Sequence, residues 1–296
     1  MVASIWTQVA AYVGCKDVLE ALGVLRELGW TCFELSTEHL QLIEDAADRD
    51  AAIDRTVGRL EELGVVMPQA HAQLKADVAH SDEQQRAADL DRVQRNLRTC
   101  AALGVRVVVV HPGRGEAWRS QPEYRSRLEL NCRQFRTLGD LAGELGLRIA
   151  IENMADWRPP RGRRCFGSLP CELLDLLDAL SHPALGVCFD TSHARLQGLD
   201  VAGAVRELGP HLIATHLSDN DGSADQHRTP GCGSIDWPAV CRALGDVGYD
   251  GPMNLEIPGE AGPARELVRM KIRHALEVTK WLIARVSASP TVDEGR

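Results

Sequence analysis

The sequence predicts a single-domain α/β fold, the (β/α)8 barrel, and three observations carry that expectation. Seven polar or ionisable residues, Glu34, His71, His111, Glu152, Asp190, His216 and Glu256, each close a short apolar run and recur every 26 to 41 residues. Most of these runs follow a helical stretch that ends in glycine. The 296 residues divide into eight units of 37, and α/β barrels of this length commonly fold as one unit. Enzymes built on parallel barrels keep their chemistry at the carboxyl ends of the strands, where all seven residues are expected.

Taken in order, the first strand is expected near residues 4–8. TCFELS follows Gly29, VVMPQAH follows Gly64, VRVVVVH follows Gly104 and LRIAIEN follows Gly146. LGVCFD at 185–190 is the sixth strand, HLIATH after Gly209 the seventh, and YDGPMNLEI after Gly248 the eighth. Glycine ends a helix at little steric cost because it takes the left-handed conformation. Runs such as RVVVV and LRIAI are apolar on consecutive residues, as parallel strands covered on both faces must be. Among the helices, Ser81 with Gln84 forms a capping-box pattern ahead of the helix through Leu103. Ser168 is placed to cap a helix over 169–180, and Asp236 one starting at Trp237. A doubly wound open sheet would also alternate strands and helices, but it would not need a site residue at almost every strand end. The barrel is expected to span residues 1–286, with 287–296 as a flexible polar tail.

The formal charge of −9 and the pI near 5.6 argue against a surface dominated by phosphate-neutralising cations, so nucleic acid is a disfavoured partner. Nine cysteines occur without a CxxC pair, and no signal-type segment is evident. Both features fit a reducing cytoplasm, with the thiols read as small buried hydrophobes or idle groups. No stretch has the unbroken apolar length needed to span a bilayer. Exposed helical faces of a barrel leave room for association into a homo-oligomer.

Glu152, Asp190, His216 and Glu256 come from four consecutive strands and converge on one barrel mouth. Mixed carboxylate and imidazole donors suit a divalent ion such as Mn, Mg, Co or Zn. A further layer consists of His71, His111, His193, Asp225 and His227. His193 lies three residues after Asp190, where it serves either as a ligand or in a helix cap. Asp225 and His227 share a loop, as paired ligands or as solvated residues. One ion is expected, and nine donors would suffice for up to three.

The motifs HPG at 111–113, IEN at 151–153, FDTSHA at 189–194, HLSDNDG at 216–222, GCGSIDW at 231–237 and YDGPMNLEI at 249–257 resemble those of the xylose-isomerase-like TIM barrels. That superfamily includes sugar-phosphate isomerases, ketose 3-epimerases and endonuclease IV. The resemblance implies, for the epimerase branch, that Glu152, Asp190, His216 and Glu256 bind one divalent metal. The two glutamates would then act as acid and base, and His193 would contact substrate. For the endonuclease branch it implies three zinc ions on all nine donors.

The expected function is therefore a metal-dependent isomerase or epimerase of a small sugar or sugar phosphate, moving a proton through a metal-stabilised enediolate. The alternative is an endonuclease IV-like phosphodiesterase acting at abasic sites. Against the alternative, the loop AQLKAD after His71 lacks an aromatic residue to fill the gap left by an extruded nucleotide. Arg228 is a candidate for orienting a sugar oxygen, or a plain surface residue. Arg158, Arg161, Arg163 and Arg164 are candidates for gripping an anionic group, or for solvated ion pairs. Trp118 and Trp157 either wall the pocket or pack beneath their loops. Glu34 reads as an orienting residue or a substrate contact rather than a ligand.

Overall fold

The structure, a computed structural model, describes residues 1–156 and 164–287. Eight strands run parallel: β1 (Ala3–Trp6), β2 (Cys32–Leu35), β3 (Val66–His71), β4 (Val107–Val110), β5 (Arg148–Glu152), β6 (Leu185–Asp190), β7 (Leu212–His216) and β8 (Met253–Leu255). They form one sheet in the order β7-β6-β5-β4-β3-β2-β1-β8. The ring closes where Leu217 bridges Leu255 and its N–H donates to the Asn254 carbonyl at 2.8 Å. The chain is thus a single-domain (β/α)8 barrel, as its glycine-punctuated rhythm predicts.

Ten α-helices are described: α1 (Val18–Glu27), α2 (Thr37–Glu44), α3 (Arg49–Leu63), α4 (Glu83–Ala102), α5 (Gln121–Glu144), α6 (Pro170–Leu180), α7 (Thr191–Leu196), α8 (Val201–Leu208), α9 (Trp237–Asp246) and α10 (Arg265–Ser287). The six glycines expected to punctuate the chain, Gly29, Gly64, Gly104, Gly146, Gly209 and Gly248, all have φ between 53° and 101°. An L-residue rarely adopts that conformation, which explains the beat.

Several local expectations are corrected. β1 ends at Trp6, and Thr7–Val13 winds into a 3-10 helix. Asp82, not Ser81, caps α4 by accepting from the Gln85 N–H, and a carboxylate there also meets the positive end of the helix. Ser168 does not cap α6, because Pro170 sets the helix start and Leu169 becomes its flanking residue. The Glu172 carboxylate instead reaches back to the N–H groups of Ser168 (2.9 Å) and Leu169 (3.2 Å). Asp236 caps α9 as expected. Of the cysteines, Cys32, Cys100, Cys188 and Cys241 are buried, and Cys171 and Cys232 are exposed free thiols. Helix α10 continues through Ser287, and the rest of the expected tail lies outside the described residues.

The main apolar core lies between barrel and helices, with Trp30, Phe33, Phe135, Phe166 and Phe189 fully buried. Val109, Ala150, Cys188 and Ala214 form a separate buried cluster. Each stands two residues before a strand-end donor, so it shares that donor's inward face. These small side chains make the floor on which the polar residues stand. Among the described residues no helix is long and apolar enough to cross a membrane.

Candidate metal centre

The strands deliver the predicted residues to one place. His71, Glu152, Asp190 and His216 are the last residues of β3, β5, β6 and β7, while His111 and Glu256 follow β4 and β8 directly. Asp190 stands beside His216 in register. Donor atoms of Glu152, Asp190, His216 and Glu256 all lie within 4.8 Å of one another. Two further groups meet the same spacing, His71 with Glu152 and His216, and Asp190 with His193 and His227. The first set shares residues with each of the other two, which joins seven of the nine predicted donors; His111 meets the patch through Glu152 and Asp225 through His227.

Glu152 is the hub. Its Oε2 lies 3.1 Å from His71 Nε2 and 3.2 Å from His111 Nε2. Its Oε1 lies 3.0 Å from His216 Nδ1 and 3.6 Å from His193 Nδ1. Asp225 bridges two imidazoles, His227 Nε2 at 2.9 Å and His193 Nε2 at 3.6 Å. Glu256 Oε2 lies 3.4 Å from His216 Nδ1. The Glu152 side chain is 1% exposed and that of Glu256 13%, so Glu256 is the member of the pair that faces the mouth.

Backbone carbonyls orient most of the imidazoles. A carbonyl oxygen can only accept, so Nδ1 of His71 donates to Ala72 O (2.8 Å), that of His111 to Leu74 O (3.2 Å) and that of His193 to Asn153 O (2.9 Å). His227 Nδ1 likewise meets Glu256 O at 3.2 Å. In each case Nε2 is left for the site. Asn153 also locks the end of β6, accepting from Asp190 N at 2.7 Å and donating to Asp190 O at 3.0 Å.

The electrostatics are unusual for a buried site. Glu34, Glu152, Asp190, Asp225 and Glu256 make all their ion pairs among the described residues with histidine, none with lysine or arginine. Burial works against the protonated imidazoles but is outweighed: Asp190 and Asp225 raise His193 to about 10, and Asp225 with Asp190 raises His227 to about 9. His216, fully buried, is nevertheless driven well up by the carboxylates of Glu34, Glu152 and Glu256 around its ring. Burial would raise the Glu152 carboxyl, yet the His216 charge and hydrogen bonds from His111, His216 and His71 hold it well below the usual range. Burial raises Asp190 and Glu256 against the histidine charges.

These residues fit a divalent ion. Asp190 Oδ2 is buried and has no hydrogen-bond partner among the described residues, an expensive state for a carboxylate oxygen unless a cation or proton meets it. The donors are all carboxylate oxygens and imidazole nitrogens, the set that hard to borderline cations prefer. Binding would displace the imidazole protons.

The remaining predicted residues are placed less centrally. The Arg228 guanidinium donates within its own loop to Cys232 O at 3.4 Å. Trp118 packs against Tyr124, with ring centroids 5.0 Å apart, and its backbone pairs with Arg164. Trp157, Arg158, Arg161 and Arg163 lie outside the described residues. Gln69 and Asp219 are site-building residues that sequence reading missed. Gln69 donates to Glu34 from the neighbouring strand, and Asp219 fastens the loop that carries Asp225 and His227.

Comparison with known proteins agrees with this geometry. Residues 22–278 match the family described as Xylose isomerase-like TIM barrel. The chain belongs to that family. A probable endonuclease 4 of Nitratidesulfovibrio vulgaris is 31% identical over 215 residues, 67% of this chain and 73% of the relative. An uncharacterized protein of Methanocaldococcus jannaschii is 30% identical over 182 residues. The chain spans about three-fifths of the length of the first curated relatives it matches. Among solved structures, a D-tagatose 3-epimerase-like protein superposes with a TM-score of 0.76 at 22% identity, covering 97% of this chain and 98% of the other. A 3-keto-D-glucoside 4-epimerase from E. coli gives 0.71 at 18% identity, covering 90% and 94%. At these identities the likeness is one of fold. The buried donor clusters could hold a metal.

Proposed function

We propose that this xylose isomerase-like barrel is a divalent-metal-dependent isomerase or epimerase of a small sugar, polyol or sugar phosphate. The observation that carries the reading is the convergence of Glu152, Asp190, His216 and Glu256 within 4.8 Å, with one glutamate buried and the other open to the mouth. These four residues would hold the ion. A divalent ion supplies Lewis acidity, polarising a substrate carbonyl and stabilising the charge left when the adjacent carbon loses its proton. Glu256, the more accessible carboxylate, removes or returns that proton on its side of the substrate. Glu152, pinned by four imidazoles, serves the opposite side and anchors the centre. His193 borders the donor set and is placed to contact a substrate oxygen.

A second reading, multinuclear phosphodiester hydrolysis on an abasic or related substrate, is favoured by one specific observation. His71, His111, His193, Asp225 and His227 join the four central donors to give nine in one patch, and in-line attack on phosphorus benefits from more than one cation.

Solvent-deuterium exchange at a substrate carbon, measured over a panel of ketoses, aldoses and their phosphates, tests the first reading. The metal-loaded protein is expected to exchange a carbon-bound proton, and Glu256→Gln to abolish that exchange with the fold intact. Full exchange in both Glu256→Gln and Glu152→Gln would refute the assignment. Three zinc ions per chain, together with nicking of abasic duplex DNA and no exchange, would replace it with the second reading.

A further inference from the structure

We propose that Glu34 is a positioning residue that fixes His216 with Nε2 protonated, so that Nδ1 is the nitrogen offered to a divalent ion. The inference rests on the metal reading above. His216 is the exception among the five site histidines. The other four place Nδ1 against a backbone carbonyl. His216 turns Nδ1 towards Glu152 (3.0 Å) and Glu256 (3.4 Å), and its Nε2 lies 2.8 Å from Glu34 Oε2.

Both partners are fully buried. Glu34 stands behind the ring, on the side away from Glu152 and Glu256, which makes it a partner of His216 and not a fourth carboxylate ligand. Its register neighbour Gln69 donates to the same oxygen, Oε2, and so sets the carboxylate's orientation. No lysine or arginine pairs with Glu34 among the described residues. A buried carboxylate is costly where a neutral carbonyl would serve as acceptor. What the charge adds is a more basic imidazole and a single fixed tautomer, the effect a carboxylate behind a ligating histidine is known to have.

The test uses the full chain labelled with ¹⁵N-histidine and titrated with Zn²⁺ alone, followed on the His216 ring resonances. The expected result is Zn²⁺ on Nδ1 and a slowly exchanging proton on Nε2. Glu34→Gln, which keeps the shape and loses the charge, is expected to weaken Zn²⁺ binding at His216 by about 10- to 100-fold and to shift the Nε2 proton signal, with unchanged circular dichroism. Ligation through Nε2, or unchanged affinity in Glu34→Gln, would overturn the proposal. Should Glu34→Gln not fold, the tautomer in the unaltered protein decides alone. If the unaltered protein binds no Zn²⁺ or other divalent ion, the metal reading falls as well, a failure distinguishable from loss of the Glu34 role.

Discussion

Replacing Asp219 should loosen the metal centre from a distance, through the loop that carries Asp225 and His227. Asp219 is fully buried three residues after His216. Its carboxylate accepts from Gly231 N (2.9 Å), Ser234 N (3.1 Å), Ile235 N (3.2 Å) and Trp237 Nε1 (2.8 Å). Its backbone pairs with Arg228, one residue beyond His227. Hydrogen bonds to a charged acceptor contribute roughly 1.5–3 kcal/mol each. Simple addition overshoots, because water reaches some of the freed N–H groups, so about 4 kcal/mol is the expected loss in Asp219→Ala. For a domain of this size that corresponds to a fall in Tm of about 6 °C, and Asp219→Asn should lose roughly half as much. Thermal unfolding of the metal-free protein followed by circular dichroism measures the first effect. Metal content after reconstitution measures the second, which should fall as the Asp225–His227 pair loses its frame. A shift below about 2 °C with undiminished metal content would refute the reasoning.

Two further outcomes follow from local chemistry. Glu172, raised to about 7 by burial against its backbone hydrogen bonds and Arg164, has a folded-state pKa above its unfolded value of 4.5. Its contribution to stability is therefore full below pH 4.5 and is lost as the pH rises to about 7, by about 3 kcal/mol at most. Glu172→Gln keeps the acceptor and removes the titration, so it should be the more stable protein at pH 8 and similar to wild type near pH 4; parallel pH profiles of the two in denaturant titrations would contradict this. Gly259→Ala would place a Cβ 2.0 Å from Gln226 O and 2.7 Å from His227 O. The expected cost is about 1–3 kcal/mol together with weaker metal retention, and an unaltered Tm would show that the loop yields freely.

Much of this architecture was legible because its signals are local. A glycine with positive φ ends a helix whatever surrounds it, and a strand buried on both faces must be apolar throughout. A donor such as His71 or Asp190 at the end of such a strand has only the barrel mouth to face. Cap choice was less legible, since Ser81 and Asp82 are adjacent and equally able, and the carboxylate's interaction with the helix end decides. Contacts across the chain left no local trace. Gln69 reads as one polar residue inside a strand until β2 brings Glu34 beside it. Asp219 reads as part of a polar loop until the chain folds back from Gly231 to Trp237. The orientation of four of the five site imidazoles depends on carbonyls such as Leu74 O, 37 residues from His111, and no spacing rule announces it.

The most direct measurement is the divalent metal content of the protein after stripping with chelator and reconstitution with Mn²⁺ or Zn²⁺. At least one ion per chain, held at micromolar affinity or better and lost in Asp190→Ala, is the predicted result. A wild-type chain that retains no divalent ion under those conditions, or an Asp190→Ala chain that retains it unchanged, would contradict the assignment of these buried carboxylates and imidazoles to a common cation.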